Sequence, residues 1–285
     1  MKIKEAIIYG VGELKDRVPR PRLEVEILLS FLLDRPREFL IIYDDKEVDE
    51  KAFFELIARR KNYEPIEYIT KKVSFWDFEL FIDKGALIPR PESEILVEKA
   101  LELIKKHNIK KVAEIGIGSG ALSIALAKET NVVIEASDIS KEAIAIASKN
   151  IKNFDLEDKI TLKYCSLLDC VNTPELLISN PPYIDPNIKL EANVANFEPH
   201  TALFAPKKGC EILFNILDLI QAKQIPFAVC EMGYDQKEAI SRYAKEIGLE
   251  GKLEFYKDLA GLDRGFVFEI GDSQMMDLLK KRVYL

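Results

Sequence analysis

From residue 111 to residue 269 the chain repeats one rhythm: a short apolar run, a tight turn, then an amphipathic stretch long enough for a helix. "KVAEIG" leads to "SGALSIALAKE", and "NVVIEASD" leads to "SKEAIAIASKNI". After "KITLKYC" and "ELLISN" come a long loop and "GCEILFNILDLIQAK", then "PFAVCEMG" with "QKEAISRYAKEIG", and finally "LEFYKD" and "GFVFEI". Parallel strands need a crossover between them, most often a helix. The alternation therefore predicts an α/β fold, a mainly parallel sheet with helices on both faces. Ligands of such sheets sit outside the carboxyl ends of the strands, near the switch point of the strand order.

Upstream the pattern is helical. In "RPRLEVEILLSFLLDRP" residues Leu23, Ile27, Leu28, Phe31 and Leu32 form one stripe that ends at Pro36, and "DEKAFFELIARRKNYEP" runs from an N-capping Asp49 to a stop before Pro65. Residues 1–72 read as a small helical bundle. They carry 15 Lys+Arg and 15 Asp+Glu, so the chain's net charge of −7 lies wholly in the remainder. A neutral unit of this kind is free to meet a protein partner by shape. "SFWDFELFID" then alternates, with Trp76, Phe78, Leu80 and Ile82 on one face, which predicts a β-hairpin connector over 73–88. In "ALIPRPESEILVEKALELIKKHN" Pro89 and Pro91 force an extended entry into a helix, and a second domain spans 89–285. The tail "GDSQMMDLLKKRVYL" reads as a possible terminal helix.

Apolar residues make up 48% and charged ones 31%, enough to bury a core. The acidic balance argues against a sequence-independent grip on nucleic acid, and no direct nucleic-acid partner is expected. Cys165, Cys170, Cys210 and Cys230 form no C-x-x-C pair, and with two histidines they make no zinc pattern, so no metal is expected. Reduced cysteines and a cytoplasmic protein fit best. No apolar run approaches the roughly 18 residues of a membrane span, and "MKIKEAIIYG" lacks the core of a signal peptide.

"AEIGIGSGALSIALA" ends a strand with Gly116, Gly118 and Gly120 before a helix. Glycine lets the backbone approach a ligand or take positive φ, and the helix that follows offers free N–H groups to an anionic or polar cofactor. "GIGSGA" satisfies the loose dinucleotide fingerprint, with Asp138 about 20 positions on to take a ribose hydroxyl. Glu114, two residues before the first glycine, resembles instead the E/D-x-G-x-G-x-G signature of S-adenosylmethionine-dependent methyltransferases. A turn that only packs strand on helix is the bland reading of the same glycines.

Asn180 ends the strand "ELLISN" at the same sheet edge and opens "NPPY". Pro181 and Pro182 fix φ and remove N–H groups, leaving a rigid array of carbonyl acceptors. A planar group bearing NH2 can give one hydrogen to the Asn180 side-chain oxygen and another to the Pro181 carbonyl, with the Tyr183 ring over its face. Such a nitrogen is a poor nucleophile, so catalysis must come largely from positioning. His107 and His200 are expected to be structural or solvent-facing.

"NPPY" after "EIGIGSG" resembles the amino-methyltransferases, and "LIPRPESE" (87–94), "EPIEYIT" (64–70) and "FEPHTALFAP" (197–206) narrow the likeness to the HemK/PrmC family of release factor glutamine methyltransferases. The resemblance implies a Rossmann-like class I methyltransferase sheet behind a small helical domain. It implies methyl transfer from S-adenosylmethionine, yielding S-adenosylhomocysteine, to the glutamine amide of the GGQ motif in class I peptide chain release factors. It assigns Glu114, Gly116, Ile117, Gly118, Ser119, Gly120, Asp138, Ser166, Leu167 and Asn180 to the cofactor. Asn180, Pro181, Pro182, Tyr183, Arg90 and Glu198 fall to the substrate, with Asn180, Pro181 and Tyr183 as catalytic residues. Residues 1–72 would dock the release factor. The sequence departs from the family's pattern at Ile117, where a small residue is usual, at Ser166, where an acid is common, and at Leu167, where an aromatic often stands.

Three rival readings stand beside this one. An adenine amino-methyltransferase keeps the chemistry and changes the substrate; an NAD-dependent oxidoreductase rests on "GIGSGA" and leaves "NPPY" without a task; a non-catalytic cofactor-binding module follows from Ser166 and Leu167.

Overall fold

A computed structural model describes residues 1–249 and 253–271. Helices α1 (Ile3–Leu14), α2 (Pro21–Leu33), α3 (Arg37–Ile42), α4 (Glu50–Lys61) and α5 (Ile66–Thr70) open the chain, followed by strands β1 (Lys72–Phe75) and β2 (Phe78–Phe81). Next come α6 (Glu94–His107), β3 (Lys111–Ile115), α7 (Ala121–Glu129), β4 (Val133–Asp138), α8 (Lys141–Asn153), β5 (Ile160–Tyr164) and β6 (Leu176–Ser179). A loop with α9 (Ala192–Ala195) and α10 (His200–Leu203) leads to α11 (Glu211–Lys223), β7 (Phe227–Glu231), α12 (Lys237–Glu246), β8 (Leu253–Lys257) and β9 (Asp263–Glu269). The terminal helix expected over 271–285 lies outside the described residues, save Gly271. Among the described residues, no helix is long and apolar enough to cross a membrane.

The chain divides into two units. The first comprises Met1–Lys72 and Leu190–Phe197. Its core gathers Leu14, Val25, Leu28, Leu29, Phe53 and Ile57, among others. Gly10 sits inside α1 because a Cβ there would meet Val25 Cγ2 at 2.8 Å, so the missing side chain lets the helices close. Asp49 caps α4, accepting from the Ala52 N–H at 3.1 Å. The buried face of α2 is centred on Val25, Leu28 and Leu29, while Phe31 is exposed, which rotates it from the expected stripe. So many positions of this helix are apolar that periodicity alone does not choose the face.

The second unit holds Val73–Lys189 and Glu198–Leu285. Its seven-stranded sheet has the order β5-β4-β3-β6-β7-β9-β8. The pairs from β5 through β7 are parallel, and β9 runs antiparallel to both β7 and β8. Strand order reverses between β3 and β6, which places the switch point where the glycine turn and Asn180 leave the sheet. Ala113, Leu177 and Ala228 of the central strands pack with Leu213, Leu217 and Ile240 of α11 and α12.

The hairpin buries Val73 and Phe75 from β1 and Phe78, Leu80 and Ile82 around β2. Trp76 falls out of the predicted alternation. It stands in the turn with φ +56°, so the buried positions change phase between the strands. Asn150 of α8 anchors β2 by accepting from the Phe81 N–H and donating to the Phe81 carbonyl, both at 2.8 Å. The same amide donates to the Ser119 carbonyl at 2.8 Å and thereby ties the hairpin to the glycine turn.

Candidate active site

Ile115 and Ser179 are register partners at the ends of β3 and β6, so Gly116 and Asn180 leave the sheet side by side. The turn is held from beneath: the N–H groups of Gly116 and Ile117 both donate to the Ser137 carbonyl, at 2.9 and 3.0 Å. Gly116, Gly118 and Gly120 take φ of +77°, +54° and +88°. A Cβ on Gly116 or Gly118 would meet nothing within 4 Å, whereas one on Gly120 would lie 3.2 Å from Ile124 Cδ1. The first two glycines keep a cavity open, and the third lets α7 pack closely.

That cavity is walled by Gly116, Ile117, Gly118 and Ser119 of the turn, by Asp138, by Ser166 and Leu167, and by Asn180, Pro181 and Pro182. The Asp138 carboxylate accepts from the Gly118 N–H at 3.0 Å and the Ser140 N–H at 2.8 Å. Burial raises its pKa while these backbone N–H groups oppose the rise. Each oxygen keeps a lone pair for a further donor, so the group can take the two hydroxyls of a ribose.

Glu114 also borders the cavity but is engaged with α7, accepting from the Ser123 N–H at 3.1 Å and from the Ser123 hydroxyl. Its pKa is pushed up to about 8, chiefly by burial, with the charge of Asp138 adding to the rise. Leu167 adopts φ +46°, and its carbonyl accepts from the Ser137 hydroxyl at 2.5 Å. Of the four cysteines, all expected to be reduced, Cys210 and Cys230 are free, whereas Cys165 and Cys170 form a disulfide that brackets Ser166 and Leu167, with Cα atoms 6.2 Å apart. The left-handed residue between them returns the chain on itself and brings together two cysteines whose spacing suggests no pairing.

Asn180 donates through Nδ2 to the Ser93 hydroxyl oxygen at 2.9 Å, and its Oδ1 has no hydrogen-bond partner among the described residues. The Pro181 carbonyl accepts no backbone hydrogen bond from the described residues either. Ser93, immediately before α6, donates to Glu231 Oε2 at 2.6 Å. Tyr183 is not part of the cavity wall; its hydroxyl donates to Glu231 Oε1 at 2.8 Å, and its ring packs against the sheet core. The Gln236 amide holds the same loop from outside, donating to the carbonyls of Tyr183 at 2.7 Å and Lys208 at 3.1 Å.

Ser93 and Glu231 are functional candidates that motif reasoning passed over. One signal for Glu231 was present, an acid at the carboxyl end of the wholly buried run Phe227–Glu231, on the sheet edge that carries Asn180. Arg90 and Glu198 pair with each other, and Glu198 also accepts from the Ile88 N–H at 3.1 Å. The pair tethers the proline-rich entry loop, and neither residue lines the cavity. His107 packs against Phe227 with the rings tilted and their centroids 4.3 Å apart, His200 is exposed, and neither lines the cavity. Among the described residues, no group of three His, Cys, Asp or Glu side chains could hold a metal ion.

An open glycine backbone, a carboxylate with free lone pairs and a wall of carbonyl and amide acceptors fit a ribose-bearing cofactor beside a planar N–H donor.

The family model of the PrmC N-terminal domain matches residues 5–70, and that of the methyltransferase small domain matches 92–199. The chain is similar to a release factor glutamine methyltransferase of Clostridium acetobutylicum, 35% identical over 277 residues, covering 93% of this chain and 97% of the relative. A protein of the same name from Dictyoglomus turgidum is 36% identical over 276 residues, covering 92% and 96%. In fold alone it is similar to the N-terminal domain of human METTL16 in complex with SAH, with a TM-score of 0.54 at 16% identity, covering 91% of this chain and 97% of that one. The human METTL16 catalytic domain in complex with MAT2A 3'UTR hairpin 1 gives a TM-score of 0.56 at 16% identity, covering 77% and 79%.

Proposed function

The chain belongs to the release factor glutamine methyltransferases, S-adenosylmethionine-dependent enzymes, and from that premise we propose that it methylates the side-chain amide nitrogen of the GGQ glutamine in class I peptide chain release factors. The observation that carries this reading is the acceptor pair at the cavity wall: Asn180 Oδ1 and the Pro181 carbonyl, side by side and without a donor among the described residues. Two acceptors fixed by prolines suit the two N–H bonds of a primary amide and repel a carboxylate.

Gly116 through Gly120 would hold the methionine and ribose part of the cofactor, and Asp138 its ribose hydroxyls. Ser166 and Leu167 would border the rest. When bound, S-adenosylmethionine supplies an electrophilic methyl group on a sulfonium sulfur. The chain's own contribution is orientation. Asn180 and Pro181 accept the amide hydrogens and hold the amide plane, and Pro182 stiffens the loop. Tyr183 acts from behind, through its hydroxyl on Glu231. No side chain of the cavity wall is a strong base, and alignment of reacting atoms contributes on the order of 7–11 kcal/mol when geometry is held. Arg90 and Glu198 shape the mouth of the site by holding the entry loop.

Residues 1–72 would dock the body of the release factor, and the setting is cytoplasmic. The likeness to METTL16 concerns fold alone, while the glutamine methyltransferase likeness runs through both parts of the chain. The test is to incubate the protein with S-adenosylmethionine and a class I release factor and to map the product by mass spectrometry. One added methyl on the GGQ glutamine is expected. Methyl transfer to nucleic acid and none to the release factor would overturn the reading.

A further inference from the structure

We propose that Glu231 and Ser93 form a relay that fixes which way the Asn180 side-chain amide faces, and so makes the site a receiver of N–H groups that selects glutamine over glutamate. The inference rests on the reading that Asn180 holds the target amide.

An asparagine amide keeps nearly the same shape when its oxygen and nitrogen exchange places, yet the exchange turns an acceptor into a donor. Something must choose between the two. Burial raises the Glu231 pKa, while the hydrogen bonds from Ser93 and Tyr183 and the charge of Arg264 oppose the rise. In its ionised form the carboxylate only accepts, so the Ser93 hydroxyl hydrogen is committed to Glu231 Oε2 at 2.6 Å and the Tyr183 hydrogen to Oε1 at 2.8 Å. The Ser93 oxygen then has only lone pairs to offer. Its neighbour at 2.9 Å must be a donor, which is Asn180 Nδ2, and Oδ1 is left for the substrate. Reversing the amide would bring two oxygens together with no hydrogen between them.

The three residues come from separate places, the end of β7, the turn before α6 and the residue after β6, and the fold brings them into one line. Ser93 and Glu231 are buried, at 3% and 1% exposure, so water cannot readily replace either partner. Gln236 holds the Tyr183 carbonyl and so steadies the loop without touching the relay itself. Glu231 does not line the cavity, which makes it a positioning residue.

The test compares wild type with Ser93→Ala, Ser93→Thr, Glu231→Gln and the Ser93→Ala/Glu231→Gln double variant. The readouts are turnover on a release factor and calorimetric binding of two peptides that carry Gly-Gly-Gln or Gly-Gly-Glu, in the presence of S-adenosylhomocysteine. In Ser93→Ala turnover is expected to fall about tenfold or more, and the preference for the glutamine peptide to shrink by a similar factor because the amide is free to reverse. Ser93→Thr keeps the hydroxyl and restores the preference. The double variant loses about as much as the worse single variant, as expected for parts of one unit.

Ser93→Ala with an unchanged peptide preference overturns the relay, whether or not turnover falls, and so do additive losses in the double variant. Asn180→Ala serves as the control: if it retains turnover, the reading of the subsite fails, and if it abolishes turnover while Ser93→Ala matches wild type, only the relay fails.

Discussion

Ile115 and Ser179 stand opposite each other at the ends of two parallel strands, and the Ser179 hydroxyl donates to the Ile115 carbonyl at 2.8 Å. This buried bond joins the strand that carries the glycine turn to the strand that carries Asn180. Ser179→Ala is predicted to cost about 1 kcal/mol of stability, seen as a small drop in melting temperature, together with a fall in turnover as the two halves of the site lose registration. Unchanged turnover in a variant that melts lower would show that the bond serves stability alone.

Asn180→Ala removes the side-chain acceptor while leaving the backbone and both prolines in place. An amide hydrogen left without its partner forfeits roughly 1–3 kcal/mol, so kcat/KM is expected to fall by about one to two orders of magnitude. Melting temperature should fall only slightly, because the bond lost among the described residues is the one from Asn180 Nδ2 to the Ser93 hydroxyl, about 1 kcal/mol. Steady-state methyl transfer and a melting curve on the same preparation check both halves of this prediction.

Gly116 combines φ of +77° with open space where a side chain would project. In Gly116→Ala the left-handed conformation costs roughly 1–2 kcal/mol, and the added methyl enters the space given to the cofactor. Calorimetric affinity for S-adenosylhomocysteine is expected to weaken by more than the strain alone accounts for. Equal losses in folding and binding would mean that the glycine serves only the turn.

The parallel sheet was legible because its strands cannot be joined by tight turns, so the chain must advertise its crossover helices. The glycine turn and Asn180 were legible as neighbours of the sheet edge, since both follow strands. Their adjacency was not, because β3 and β6 are separated in the chain by β4 and β5 and only the strand order makes them partners. Glu231 escaped notice for a related reason. An acid at a strand end is ordinary, and only the fold reveals that it lies beneath Ser93 and Tyr183. Trp76 misled through its size, since a large aromatic suggests a buried strand position and here it occupies a turn. The Cys165–Cys170 pair depends on the left-handed Leu167 between them, which spacing does not encode.

Glu114 yields a prediction in which pH, rather than activity, is the variable. Burial first, and the charge of Asp138 next, raise its pKa from 4.5 to about 8. Between those values the folded protein retains a proton that the unfolded chain has released. Stability from this group is therefore fully present below about pH 4.5 and is lost as pH rises through about 8. Glu114→Gln does not titrate, and its amide oxygen can still accept from the Ser123 N–H, so it resembles the protonated acid. Asp138, whose pKa is also raised, remains in both proteins, so its direct titration is common to the two. The melting temperatures of wild type and variant should nearly coincide at pH 5 and separate progressively towards pH 8.5, with the variant the more stable. Parallel curves across this range would mean that Glu114 is ionised throughout and that the Ser123 hydrogen bonds, rather than a bound proton, compensate its burial.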